Sequence, residues 1–137
     1  MPTATTMAPG IVRVPLRVVA TAANASSEVV AARASFVGTV GVTFTPDTVL
    51  TGANTESRTL SAQNKGQTGA GTTEVASRAF TSGVNAPAYD EATITASVVA
   101  AATDVADGDI ITFKSQNIGA TGLAQPAGLV IVTFTRA

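Results

Sequence analysis

The residues that could do chemistry are few, and the densest acidic group is Asp104, Asp107 and Asp109 in Thr103-Asp104-Val105-Ala106-Asp107-Gly108-Asp109. Carboxylates at that spacing suit a calcium ion, but the bidentate Glu that closes an EF-hand loop is absent and Asp-Gly is an ordinary turn dipeptide. A structural turn is therefore expected, with no metal. Asp90 and Glu91 could be imagined as a glycosidase couple with one of these aspartates. Adjacent strand residues point to opposite faces, however, so solvated charges are the expectation. Glycines at 66, 69 and 71 suggest a phosphate loop only superficially, because no Gly-Lys-Ser/Thr follows and the next segment reads as strand. Arg13 and Arg17 are the most suggestive charged pair. They serve either as a solvated face that protects a sheet edge or as a docking pair for carboxylates on a partner.

The wider composition removes most catalytic classes. The chain has no His and no Cys. Ser-His-Asp and Cys-His nucleophiles, His or thiolate metal sites and disulfides fall together. Neither catalysis nor a cofactor is expected. A net charge of -1, with eight basic residues scattered along the chain, gives no footprint for nucleic acid. No apolar run approaches the length of a membrane-spanning helix. A signal peptide is not expected either, since Arg13, Pro15 and Arg17 interrupt the first apolar stretch.

These sparse groups must be carried by strands. At 137 residues the chain suits one core, and its hydrophobic 45% is largely Ala and Val, so that core should be built from small side chains. Residues 1–10 carry two prolines, a glycine and no charged side chain, and read as an arm. In residues 11–20, Val12, Val14, Leu16 and Val18 alternate with Arg13 and Arg17, while Pro15 confines the strand to an edge or to contact with another chain. Residues 26–33 fit a helix or a strand, with a slight lean to strand. Clear strands follow at Val40, Val42 and Phe44, at residues 57–64 with Arg58, Leu60 and Ala62 on one face, and at residues 72–80. Residues 92–98 should set Ile94, Ala96 and Val98 on one face. Ile111 and Phe113 should point inward, and residues 129–136 should be buried on both faces. Short strands separated by Gly, Pro and Asn clusters, with no fixed repeat, indicate an antiparallel sandwich or barrel.

Several segments resemble, in the same order, small virion proteins of tailed phages that decorate or cement the capsid. They are Asn64-Lys65-Gly66-Gln67-Thr68-Gly69-Ala70-Gly71-Thr72-Thr73, Phe80-Thr81-Ser82-Gly83-Val84-Asn85-Ala86, Ala106-Asp107-Gly108-Asp109-Ile110 and Thr121-Gly122-Leu123-Ala124-Gln125-Pro126-Ala127-Gly128. The likeness covers about residues 35–137. It implies an all-β, antiparallel β-sandwich of jelly-roll type with an extended N-terminal arm, bound to the outer surface of the assembled head, often as a homotrimer. The expected organisation is residues 1–24 as arm and edge strand and 25–137 as the β-sandwich domain. Ile11, Val12, Arg13, Val14, Leu16, Arg17 and Val18 are expected to dock on the major capsid protein or a neighbouring copy. A tail-tube or tail-tip β domain is the nearest alternative. A glycan-binding sandwich is more remote, because the chain has no Trp and only Tyr89 to offer a sugar.

Overall fold

The computed structural model describes residues 10–137, so residues 1–9 of the expected arm lie outside the described residues. The described part is all-β, with antiparallel pairing throughout and no helix. One sheet contains β1 (Ile11–Val18), β11 (Gly128–Arg136), β3 (Gly38–Pro46) and β8 (Ala92–Ile94) in that order, with β9 (Asp104–Val105) also paired to β3. The other runs β2 (Ser27–Arg33), β10 (Ile110–Ile118), β5 (Ser57–Asn64), β6 (Thr73–Phe80). A small ribbon pairs β4 (Leu50–Thr51) with β7 (Asn85–Ala86).

Alternation sets which side of each strand is buried. In β3, Val40, Val42 and Phe44 are buried between more open Thr39, Gly41 and Thr43, and in β11 Val130, Val132 and Phe134 do the same. These residues meet Leu60, Ala62, Ile111 and Phe113 of the second sheet in one apolar cluster. Phe44 and Phe113 stack across the gap with ring centroids 5.9 Å apart. The two sheets thus face each other. Two strands depart from simple alternation through bulges, where one extra residue lets two successive side chains turn inward. Ala31 is the extra residue of β2 against β10, and Val75 that of β6 against β5. Each is buried together with its neighbour, Ala32 or Ala76.

Two expectations need correction. The strand expected over residues 92–98 ends at Ile94, and Ala96 and Val98 are exposed. Val98 and Val99 instead enter a turn in which the Ala102 N–H bonds the Val99 carbonyl, so their apolar character does not mark burial. Leu129 and Ile131 of β11 are only half-buried, because the outward face of their sheet carries no second layer among the described residues. The ambiguous segment after residue 25 is a strand, and Pro15 does sit on a sheet edge.

Candidate docking edge and groove

β1 ends one sheet and β2 ends the other, so two strand edges without a described partner lie along the same open side of the molecule. The phase of pairing decides what β1 offers. The Arg136 N–H donates to the Gly10 carbonyl at 2.7 Å. Backbone groups of Gly10 and of Val12, Val14, Leu16 and Val18 therefore turn toward β11, and those of Ile11, Arg13, Pro15 and Arg17 turn outward. Pro15 falls where its missing N–H removes no bond to β11.

The expected docking residues divide by face. Val12, Val14, Leu16 and Val18 stand opposite Phe134, Val132, Val130 and Gly128, on the inward side of the sheet. Val18 is buried, Val14 and Leu16 pack against the core, and Val12, nearer the open end, remains 37% exposed. Ile11, Arg13 and Arg17 lie on the outward side. Both arginines reach carboxylates of the same chain. Arg13 Nη2 is 3.1 Å from Glu91, which also accepts from the Thr43 hydroxyl at 2.7 Å, and Arg17 pairs with Asp47. Exposed pairs of this kind contribute at most about 1 kcal/mol each.

Between the ends of β1 and β2 the sheets part to leave an apolar groove of about 490 Å3. Leu16 and Val18 form one wall, Val29 the other and Phe113 the floor, while Thr21 and Gln125 close one end. That closed end is built by charge. Arg58, 0% exposed, has no carboxylate partner. Its guanidinium donates to the Ser115 hydroxyl at 2.8 Å, to the carbonyls of Ala22 and Ala25 at 3.0 and 2.9 Å, to that of Ala23 at 3.3 Å and to that of Leu123. Burial pushes the pKa of Arg58 down from its ordinary value. A guanidinium nevertheless stays protonated at neutral pH. Gln125 adds bonds from its amide to the carbonyls of Val19 and Pro126.

Two residues before Arg58, the carboxylate of Glu56 accepts the N–H groups of Thr121 and Gly122. These bonds, Gly122 first, hold the Glu56 carboxyl below its ordinary 4.5. A side chain at Gly122, whose φ is +70°, would collide with Asn117 and the Ala23 carbonyl, so the loop can approach this closely only as glycine. Because the folded pKa is the lower one, the clamp is complete above pH 4.5 and is lost as pH falls through the folded value. Amide exchange at Thr121 and Gly122 should therefore be slower in the native chain than in Glu56→Gln at neutral pH. The two should converge in acid, and a difference that persists there would assign the protection to something other than the carboxylate.

The acidic segment forms a turn tied to its neighbours. Asp109 Oδ2 accepts from the Ala106 N–H at 2.8 Å and from the Asn64 amide at 2.9 Å, while Gly108 adopts φ +90°. Gln67 of the glycine-rich loop donates to the Asp107 carbonyl at 2.7 Å, so the two loops brace each other. Among the described residues no three His, Cys, Asp or Glu side chains are grouped to hold a metal. Comparison with protein-family models, curated proteins and solved structures found no match.

Sequence reasoning placed Arg58 on the same face as Leu60 and Ala62 but missed that this face buries it. Its alternation with two apolar residues was the available signal. Glu56 and Gln125 had no comparable signal, since their partners come from loops far along the chain.

Proposed function

We propose that this chain is a virion structural protein that binds the outside of an assembled phage head and stabilises it. The observation that carries the reading is strand order. Leaving aside the short β4, β7 and β9, the eight remaining strands run 1-8-3-6 in one sheet and 2-7-4-5 in the other. That order supports reading the fold as a jelly roll, an architecture used by capsid proteins, lectins and cupins. Cupin metal chemistry rests largely on histidine, which this chain lacks. Lectin-like sugar binding draws on aromatic platforms, and the only Tyr or Trp is Tyr89. Assembly is the use that asks only for a rigid body with an available edge.

On this reading the domain sits across a junction of the major capsid protein and is held by several copies at once, as a homotrimer on a three-fold position would be. Multivalency then supplies retention that no single small interface provides. The β1 edge contributes main-chain bonds from Ile11, Arg13, Pro15 and Arg17, and the two arginines exchange Glu91 and Asp47 for capsid carboxylates. The inward-facing Val14, Leu16 and Val18 support the strand rather than touch the partner. The tail-tube or tail-tip alternative uses the same edge on a different partner.

Cryo-electron microscopy of the virion tests the location: density for this domain on the outer head surface is expected, and density confined to the tail would overturn the reading. Arg13→Ala with Arg17→Ala should change stability by no more than about 1–2 kcal/mol, since both pairs are exposed. The same pair of substitutions should lower occupancy on purified heads severalfold. Unchanged occupancy would remove the arginines from the interface. Glycan binding has one observation in its favour, an exposed Tyr89 (79%) held at φ 59° beside Asp90. Saturable sugar binding by calorimetry, abolished by Tyr89→Ala, would favour it instead.

A further inference from the structure

Opposite sides of the sandwich carry an apolar knob and an apolar groove. We infer that two copies of this chain meet head to tail, with the Val98-Val99 loop of one seated in the groove between β1 and β2 of the next. The knob is the more unusual half. Val98 is 98% exposed and Val99 69%, and exposed Ala100 and Ala101 follow them, so four successive apolar side chains stand in water. A contiguous apolar patch of this kind marks a contact surface, whereas single scattered residues do not. The loop is also held in place. The Val99 N–H donates to the Ser97 hydroxyl at 3.2 Å, the Ala102 N–H to the Val99 carbonyl and the Asp104 N–H to that of Ala101, both at 3.1 Å. Ala101 takes φ 63°, an angle that costs a non-glycine residue, and buried Ala102 anchors the turn. Two valines presented by a fixed turn lose little freedom on binding.

Topology separates the two surfaces. β1 and β2 end their sheets at the groove, and β8 and β6 end them on the other side. Past β8 the chain crosses between the sheets, where Ala96 bridges to Ala76 and the Ser97 N–H donates to the Val75 carbonyl at 2.9 Å. Val98 therefore emerges beside Glu74, and the loop returns to Asp104 of β9. A copy cannot seat its own knob in its own groove, so the contact joins unlike surfaces of two copies. Repeated, it gives a ring where the rotation closes. The groove suits the knob in size and lining, at about 490 Å3 with Leu16, Val18 and Val29 as walls and Phe113 as floor. The rims carry opposite charges. Arg17 lines the groove, while Glu74 and Asp104 flank the knob, both exposed and without an ion-pair partner among the described residues. Such complementarity steers one copy toward the next and sets the orientation. The contact uses the Leu16 end of β1 and leaves the Arg13 end to another partner, and it holds whether or not that partner is a capsid.

Sedimentation equilibrium of the full chain should show masses above one copy that rise with concentration. Val98→Asp with Val99→Asp removes the knob, and Val29→Glu fills and charges the groove. Each change should weaken association about tenfold or more, because a carboxylate finds no partner inside an apolar contact. Both variants should keep the native thermal midpoint to within roughly a few degrees, since the altered side chains already reach water. Mixed in equal amounts, the two variants should form a heterodimer and nothing larger, because one intact knob and one intact groove remain between them. The chain has no cysteine, so Val29→Cys with Val99→Cys in one chain should oxidise to disulfides between copies. A native chain that stays monomeric, association unaffected by either change, a mixture that stays monomeric, or a disulfide closed within one copy would each overturn the inference. A dimer that survives loss of the knob but not Val29→Glu would also overturn it, and would assign the groove to a two-fold contact.

Discussion

Arg58→Ala should destabilise the fold by about 3–5 kcal/mol, read as a shift in the urea midpoint with an unchanged slope. The expectation follows from what the substitution leaves behind. Four carbonyls, those of Ala22, Ala23, Ala25 and Leu123, and the Ser115 hydroxyl lose their donor together. Each buried group left unpaired costs about 1–3 kcal/mol, and water entering the vacated space repays only part of this. Arg58→Met separates bonding from packing. It keeps most of the volume and none of the donors, so it should lose nearly as much as alanine. Arg58→Lys should recover less than half, because one ammonium cannot reproduce the planar fork that spans three segments. A methionine variant as stable as the native chain would show that the guanidinium's bonds contribute nothing net. Because Ala22 and Ala25 also line the groove, amide exchange in residues 21–26 should rise in all three variants.

Phe44→Ala should have a similar cost, about 3–5 kcal/mol, or a fall in Tm of roughly 10–20 °C. Phe44 is fully buried in β3 and stacks on Phe113 of the facing sheet, so its ring is part of what sets the spacing between sheets. Its neighbours on the inward face are Val42, Val130 and Val132. β-branched side chains have little rotamer freedom, so they cannot swing into the hole, and the loss should fall in the upper part of that range. Phe44→Leu should cost less, because it removes less volume and stays apolar. A cost for alanine below about 1 kcal/mol, measured by urea denaturation, would mean that the sheets close together over the gap.

Where strands were legible in the sequence, the reason is local. Val40, Val42 and Phe44, or Arg58, Leu60 and Ala62, alternate because a pleated strand turns successive side chains to opposite faces, and one buried face is enough to leave the pattern. Pro15 announced an edge because a proline in a central strand would break a ladder bond. Asp107-Gly108 announced a turn because glycine takes the positive φ without strain. The pattern misled where the chain leaves β3. Ala96 and Val98 continue the alternation of Ile94, but β3 turns to β9 for its next partner while residues 95–97 bridge to β6, and the two side chains are left in solvent.

The candidate site was legible only in outline. Seven residues of β1 were singled out, and the fold gives them two different jobs: Val12, Val14, Leu16 and Val18 turn inward, the last three against the core, while Ile11, Arg13 and Arg17 face outward. That division depends on which face of β11 lies over the second sheet, a long-range fact. The carboxylates that receive Arg13 and Arg17 come from Glu91 and Asp47, distant in sequence and brought across the sheet by the order of its strands.

The sequence by itself determined that this protein is all-β and that it holds no histidine or thiol for chemistry, because composition and short-range periodicity are enough for each; it suggested a core of small side chains, whereas all five Phe are buried among the Ala and Val. Only the tertiary structure decided that β1 and β2 leave adjoining edges, that bulges at Ala31 and Val75 turn extra residues inward, and that Arg58 is sealed among carbonyls. Strand order and burial of a charge depend on contacts between segments far apart in the chain, and no local spacing encodes them.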